Sequence, residues 1–336
     1  MPKTSLIDIL EAAYDVDKRE DRWLTAIARA SKVTLDDGLG LFAFLYDASV
    51  PEHMTIGRFV RTSDRVQFDG ATALYGIQAA GGGQYVRDTF RSLQVGAVRD
   101  TSGFAGSDGE RFFDASGIGD LVVVNGLDPS GAAICLGAVT RKRAKLSEAQ
   151  RERYSRIATH LANSYRLRRR LASHRATRRT PWDADAVLSP RGRMEHSATP
   201  ETHLRRARGV LKEAAVAIDR ARGSLRRIDV DSALGNWMGL VDGRWSLVDK
   251  FDTDGKRYVL ARRNEPRVEG LALLTERERA VVAYAAMGHT NKLIAYDLGI
   301  AHSTVRVLLA RAAAKLGARG RAALIAVVRA ATEPTR

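Results

Sequence analysis

The chain has 336 residues, 45% of them hydrophobic, which fits two or three domains with ordinary cores and excludes a chain disordered throughout. A single cysteine, Cys135, excludes an internal disulfide and a cysteine-based metal centre, and points to a reducing, cytoplasmic setting. The formal net charge of +15 favours a polyanionic partner, nucleic acid or an anionic membrane face, while no run reaches the ~18 apolar residues of a membrane span.

In chain order, residues 4–31 read as helical, with Leu6, Ile9 and Leu10 sharing one face and Trp23, Ile27 and Ala30 another. Short aromatic and β-branched runs at 40–48 and 54–62, separated by Pro51, predict two strands. Two strong apolar runs around "GLDPSG" predict a hairpin. "LSEAQRERYSRIATHLANSYRLRRRL" then predicts a long helix, opened by a Ser147–Gln150 capping box and striped by Tyr154, Ala158, Leu161 and Tyr165. Residues 1–172 are therefore expected to form an α+β domain.

Residues 166–181 hold seven arginines and no acid, so a helix end followed by an Arg-rich linker at 173–182 is expected. A small α+β domain is expected over 183–268. Its parts are a hairpin turning at Pro190–Gly192, a long helix, a short helix near Trp237 and a hairpin turning at Asp254–Gly255. The long helix carries a heptad seam of Leu204, Ala207, Leu211, Ala214, Ile218, Ala221 and Leu225, weakened by Gly209 and Gly223.

Residues 270–333 read as an all-α domain of four helices. Thr275 and Glu278 form a capping box for the first, and Gly288 ends it. Thr290 caps the second and Gly299 ends it; the third begins near His302 and closes at Gly317. The middle pair carries the residue types of a helix-turn-helix. Ala295 is small where two helices cross, Gly299 tolerates positive φ in the turn, and Val305 plugs the angle between the helices. Ile294, Leu298, Ile300, Leu308 and Leu316 fill the remaining inward positions.

Subtracting the inward positions leaves His302, Ser303, Arg306, Val307, Ala310 and Ala314 on the outer face of the third helix. One long cation among short side chains lets a helix sit deep in a major groove. Lys292, Arg311 and Lys315 flank that face within reach of phosphates, and the amides at the Thr290 helix start offer a further phosphate site. Residues 275–336 carry ten Lys/Arg against four Asp/Glu, which agrees.

"LTERERAVVAYAAMGHTNKLIAYDLGIAHSTVRVLLARAAAKLGARGRAAL" closely resembles the LuxR-type DNA-binding domain, through its "LTxRE" start, "AxGxxNKxIAxxLGI", "STVR", "KLG" and Arg321. The resemblance implies base contacts from Arg306 and Val307, in a DNA-binding set that also includes Thr290, Asn291, Lys292, His302, Ser303, Thr304, Arg311 and Lys315. It also implies a two-fold contact through the fourth helix, around Leu324, Ile325 and Val328. Leu293, Ala301 and Leu308 depart from the family pattern, where Glu, Ser and His are usual.

In the order of its elements, the 1–172 region resembles a GAF-like sensor domain, and 183–268 a reduced PAS-like unit. A small-molecule ligand of unknown identity is an expected partner of the first. The seven histidines show no ligand spacing and are expected at the surface. Trp237, Trp245 and Tyr258 are expected in the core, Gly81–Gly83 in an ordinary loop, and Cys135 as a buried, inert thiol. No acid, base or nucleophile set converges, so no enzyme, cofactor or metal is expected. The chain is expected to be a cytoplasmic, homodimeric transcription regulator with sensor-like domains, bound to double-stranded DNA and touching RNA polymerase. The competing expectation is an adaptor whose helical tail binds the transcription machinery without reading DNA sequence.

Overall fold

The structure is a computed structural model that describes residues 5–63, 69–173, 183–251 and 254–332. It is a mixed α/β chain with an all-helical C-terminal segment. Its contacts divide it into two compact units, one of residues 1–169 and 220–235, the other of residues 170–219 and 236–336.

The first unit begins with α1 (Leu6–Tyr14) and α2 (Glu20–Leu35), two helices where the sequence suggested one. Leu6, Ile9, Leu10, Trp23 and Ile27 are buried as expected, while Ala30 is only half-buried. Strands β1 (Leu41–Asp47) and β2 (Thr55–Arg61) follow as predicted. Next come α3 (Gly70–Ala79), α4 (Gly82–Tyr85), β3 (Val95–Ala97), α5 (Asp108–Ala115), β4 (Asp120–Leu127), β5 (Ala132–Thr140) and α6 (Glu148–Ser173). The Gly81–Gly83 run is not the expected loop: Gly81 is the N-cap and Gly82 and Gly83 the first two residues of α4, with positive φ at Gly81 and Gly82.

The strands form one antiparallel sheet in the order β2-β1-β5-β4-β3. The predicted β4–β5 hairpin turns at Asp128–Gly131, where the Gly131 amide donates to the Asp128 carbonyl at 2.9 Å. The box at the start of α6 is closed, since the Gln150 amide donates to Ser147 Oγ and the Ser147 amide to Gln150 Oε1. Three cations of the arginine run are used inside this unit, Arg169 donating to the Ser130 hydroxyl and lying over the Tyr165 ring. Arg166 pairs with buried Asp128, and Arg168 donates to the Val16 and Lys18 carbonyls while lying over the Trp23 ring. Of the predicted linker, residues 174–182 lie outside the described residues.

The predicted middle segment is shared between the units. Its β6 (Ala186–Leu188), β7 (Met194–Ser197), α7 (Pro200–His203) and most of α8 (Arg205–Arg220) belong to the second. The heptad seam does not run straight on. Ala207, Leu211, Ile218 and Ala221 are buried, but Leu204 is exposed, and Gly223 breaks the helix with ψ −139°. Beyond the break, α9 (Arg226–Ile228) and α10 (Val230–Asn236) return to the first unit, where Arg226 pairs with Asp8 and Glu11, and Asp231 with Arg153.

The second unit then adds β8 (Trp245–Phe251) and β9 (Arg257–Arg263), the expected second hairpin, in a four-stranded antiparallel sheet of order β7-β6-β9-β8. Four helices complete the unit: α11 (Glu276–Ala286), α12 (Asn291–Leu298), α13 (His302–Lys315) and α14 (Arg321–Thr332). Among the described residues no single helix is long and apolar enough to cross a membrane.

Candidate nucleic-acid interface

The three working parts of the helix-turn-helix sit as their residue types require. Ala295 is buried where α12 meets its neighbours, and Val305 is fully buried between the helices. Gly299 ends α12 in the left-handed region, at φ 60° and ψ 41°. The chain bends through 106° between α12 and α13, within the usual range of the motif. Ile294, Leu298 and Leu308 join the same core, with Ile300 packed at its edge.

What is left outside is the expected face of α13. His302, Ser303, Arg306, Val307, Ala310, Arg311 and Ala314 are exposed, and Thr304 is half-buried. Val307 is 48% exposed on this face. Neither Arg306 nor Arg311 has an ion pair among the described residues, so both guanidinium groups remain available to an anion. The N-cap of α13 is Ala301, which makes no side-chain cap. Thr290 does cap α12, accepting from the Leu293 amide at 3.2 Å, while Lys292 stands exposed in the first turn.

Some predicted residues have work inside the domain. Lys315 donates to Glu278 Oε2 at 2.7 Å, which ties α13 to the capping box of α11. Burial alone raises the Glu278 carboxyl, but the Lys315 and Thr275 hydrogen bonds outweigh it and hold the group below its usual range. Asn291 accepts from Arg321 at 2.6 Å, and the same guanidinium donates to the His289 carbonyl at 2.7 Å. Of the three residues expected in a two-fold contact, Leu324 and Val328 are buried against Leu274, Val282 and Ala312. Ile325 is half-buried, and Val327, on the other flank of the helix, is 38% exposed.

Sequence inspection missed two features. His289 was expected at the surface; it is buried, with Nδ1 2.7 Å from Asp297 Oδ2, and the pair joins the turn before α12 to that helix's inner face. His160 is likewise buried, bonded to the Tyr14 hydroxyl at 3.1 Å. The available signal was an acid on the inward side of "IAYDL", where a lone carboxylate has no reason to be. The second missed feature is the seat of the helix-turn-helix within its unit. Leu240 enters its core, the Gly243 amide donates to the Leu298 carbonyl, and the Tyr296 hydroxyl donates to the Trp237 carbonyl. A Cβ added at Gly299 would overlap the Leu240 carbonyl oxygen. This glycine is therefore demanded twice, once by φ and once by contact.

Residues 272–328 match the family GerE, "Bacterial regulatory proteins, luxR family". This segment is a LuxR-family helix-turn-helix domain. No match was found among curated protein sequences. Two solved structures that resemble the chain are of one protein. "Crystal structure of Escherichia coli SdiA in the space group P6522" has TM-score 0.32 and 12% identity, over 94% of this chain and 92% of that one. "SdiA in complex with octanoyl-rac-glycerol" has TM-score 0.25 and 11% identity, over 98% and 91%. The family match lies wholly within the second unit.

Proposed function

We propose that the chain is a sequence-reading transcription regulator that lays α13 in the major groove. The observation that carries this is the division of α13 itself. Val305, Leu308 and Ala312 are buried, and the opposite side is a strip of short side chains around Arg306. Short side chains around one long cation let that side of the helix approach base edges closely. Arg306 and Val307 contact base edges, with His302, Ser303 and Thr304 beside them at the helix start. Lys292, Arg311 and the α12 amides beside Thr290 and Asn291 hold phosphates. Lys315 adds to the field from within its pair with Glu278.

The regulator works as a homodimer on a two-fold operator with half-sites about one helical turn apart. With Leu324 and Val328 used in the domain core, Ile325 is the member of the expected set that α14 still offers in part to a second copy. The first unit acts as the sensor, and it works in the cytoplasm. Selection from random duplex DNA tests the proposal: enrichment of a symmetric motif supports a reader. Recovery of no motif supports an adaptor that binds RNA polymerase without reading sequence.

A further inference from the structure

The first unit contains a cavity of about 120 Å³ between one face of its sheet and the helices that follow β2. Register builds its floor. Phe44, Cys135 and Asn125 lie side by side across β1, β5 and β4, and Phe42, Gly137 and Val123 form the next row on the same face. Gly137 is the small member of that row for a reason, since a Cβ there would overlap the Phe42 ring. The far walls include Tyr85, Phe104 and Phe113, the last two with ring centroids 4.9 Å apart.

The lining is almost wholly apolar and aromatic. Among the described residues its one charged side chain, Asp108, is exposed and paired with Arg111, and burial pushes the Cys135 thiol up so that it stays neutral. Against this wall one polar atom stands out. Asn125 is 1% exposed, and its Nδ2 donates to the Leu93 carbonyl at 2.9 Å, which fixes the amide's orientation. The Oδ1 that remains is buried and has no hydrogen-bond partner among the described residues. The nearby Thr89 hydroxyl is also buried without a well-formed bond. An orphaned acceptor in an apolar site carries a desolvation cost that a donor entering the cavity would relieve.

We infer that this cavity is a binding site for a small, neutral, ring-bearing ligand whose single O–H or N–H donates to Asn125 Oδ1. The volume of about 120 Å³ is near the roughly 150 Å³ of an apolar cavity that takes one benzene ring, which fits a single-ring ligand. The aromatic walls suit a flat π-face at edge or offset contact. Among the described residues the lining offers no buried counter-charge to offset the cost of burying a charge, which suits a neutral ligand. The inference gives a ligand class to the sensor role proposed for this unit, and it does not depend on what the second unit binds.

The test uses the full-length protein without DNA, titrated with phenol and with toluene and followed by ligand-observed NMR. The two probes share a ring and differ in the donor. Phenol is expected to bind about tenfold more tightly than toluene, the margin of one satisfied buried acceptor. Asn125→Leu is expected to remove that preference while toluene still binds. Equal binding of the two probes by the wild-type chain, or binding of neither, overturns the inference even if the variant fails to fold. Retained phenol preference in a folded Asn125→Leu protein overturns it as well, and would assign the orphaned acceptor to an ordered water. None of these results bears on the DNA proposal, which fails or stands by duplex selection alone.

Discussion

Two glycines in one domain separate backbone strain from contact. Gly288 and Gly299 both lie at positive φ, 89° and 60°, after consecutive helices. A Cβ at Gly288 would meet nothing within 4 Å, whereas one at Gly299 would overlap the Leu240 carbonyl oxygen. Gly288→Ala therefore bears only the cost of a non-glycine residue in the left-handed region, about 1–2 kcal/mol. Gly299→Ala bears the same cost plus displacement of the Leu240 backbone, another ~1–3 kcal/mol on the scale of overpacking. That displacement also disturbs the Gly243 amide's bond to the Leu298 carbonyl and the Tyr296 bond to Trp237. Native-state hydrogen exchange resolves such local losses where a whole-chain unfolding curve would blend two units. The Gly243 amide should lose protection in Gly299→Ala and keep it in Gly288→Ala. Equal protection in the two variants would refute the account of how the helix-turn-helix is seated.

Three further outcomes are expected. Ala301→Ser supplies the missing cap of α13 and should stabilise the domain by about 1 kcal/mol, read as a raised melting temperature. Glu278 has a depressed folded pKa, so its pair with Lys315 contributes stability that is full above the unfolded carboxylate range. That stability is lost as pH falls through the lower folded value; Glu278→Gln should flatten this acid limb in melting curves taken across pH. Arg311→Ala should weaken DNA binding about evenly across sequences and lower the slope of log affinity against log salt by ~1, measured by fluorescence anisotropy.

The C-terminal domain was legible because its constraints are local. Caps, a left-handed glycine, one small residue and one branched plug fall at fixed short spacings, and each follows from chain geometry alone. The β4–β5 and β8–β9 hairpins were legible for the same reason, through their turn residues. What stayed hidden depends on partners far along the chain. Nothing near Lys315 in sequence announces that it closes the Glu278 box, and nothing near Leu324 says that Val282 and Ala312 cover it. The heptad seam misled because a period of seven says which face is apolar but not whether the helix survives Gly223. The Asn125 cavity was invisible for a sharper reason. An asparagine in "LVVVNGL" gains meaning only when register sets it beside Cys135 and Phe44, with its second polar atom unanswered.

The central claim is that Arg306 reads a base. The most direct measurement compares the duplexes selected from a random pool by the wild-type chain and by Arg306→Ala at one salt concentration. The account predicts a symmetric motif for the wild type, and for the variant the same motif with preference relaxed at one position in each half-site, a loss of about 1–3 kcal/mol there. An unchanged motif selected by Arg306→Ala with undiminished affinity would contradict it.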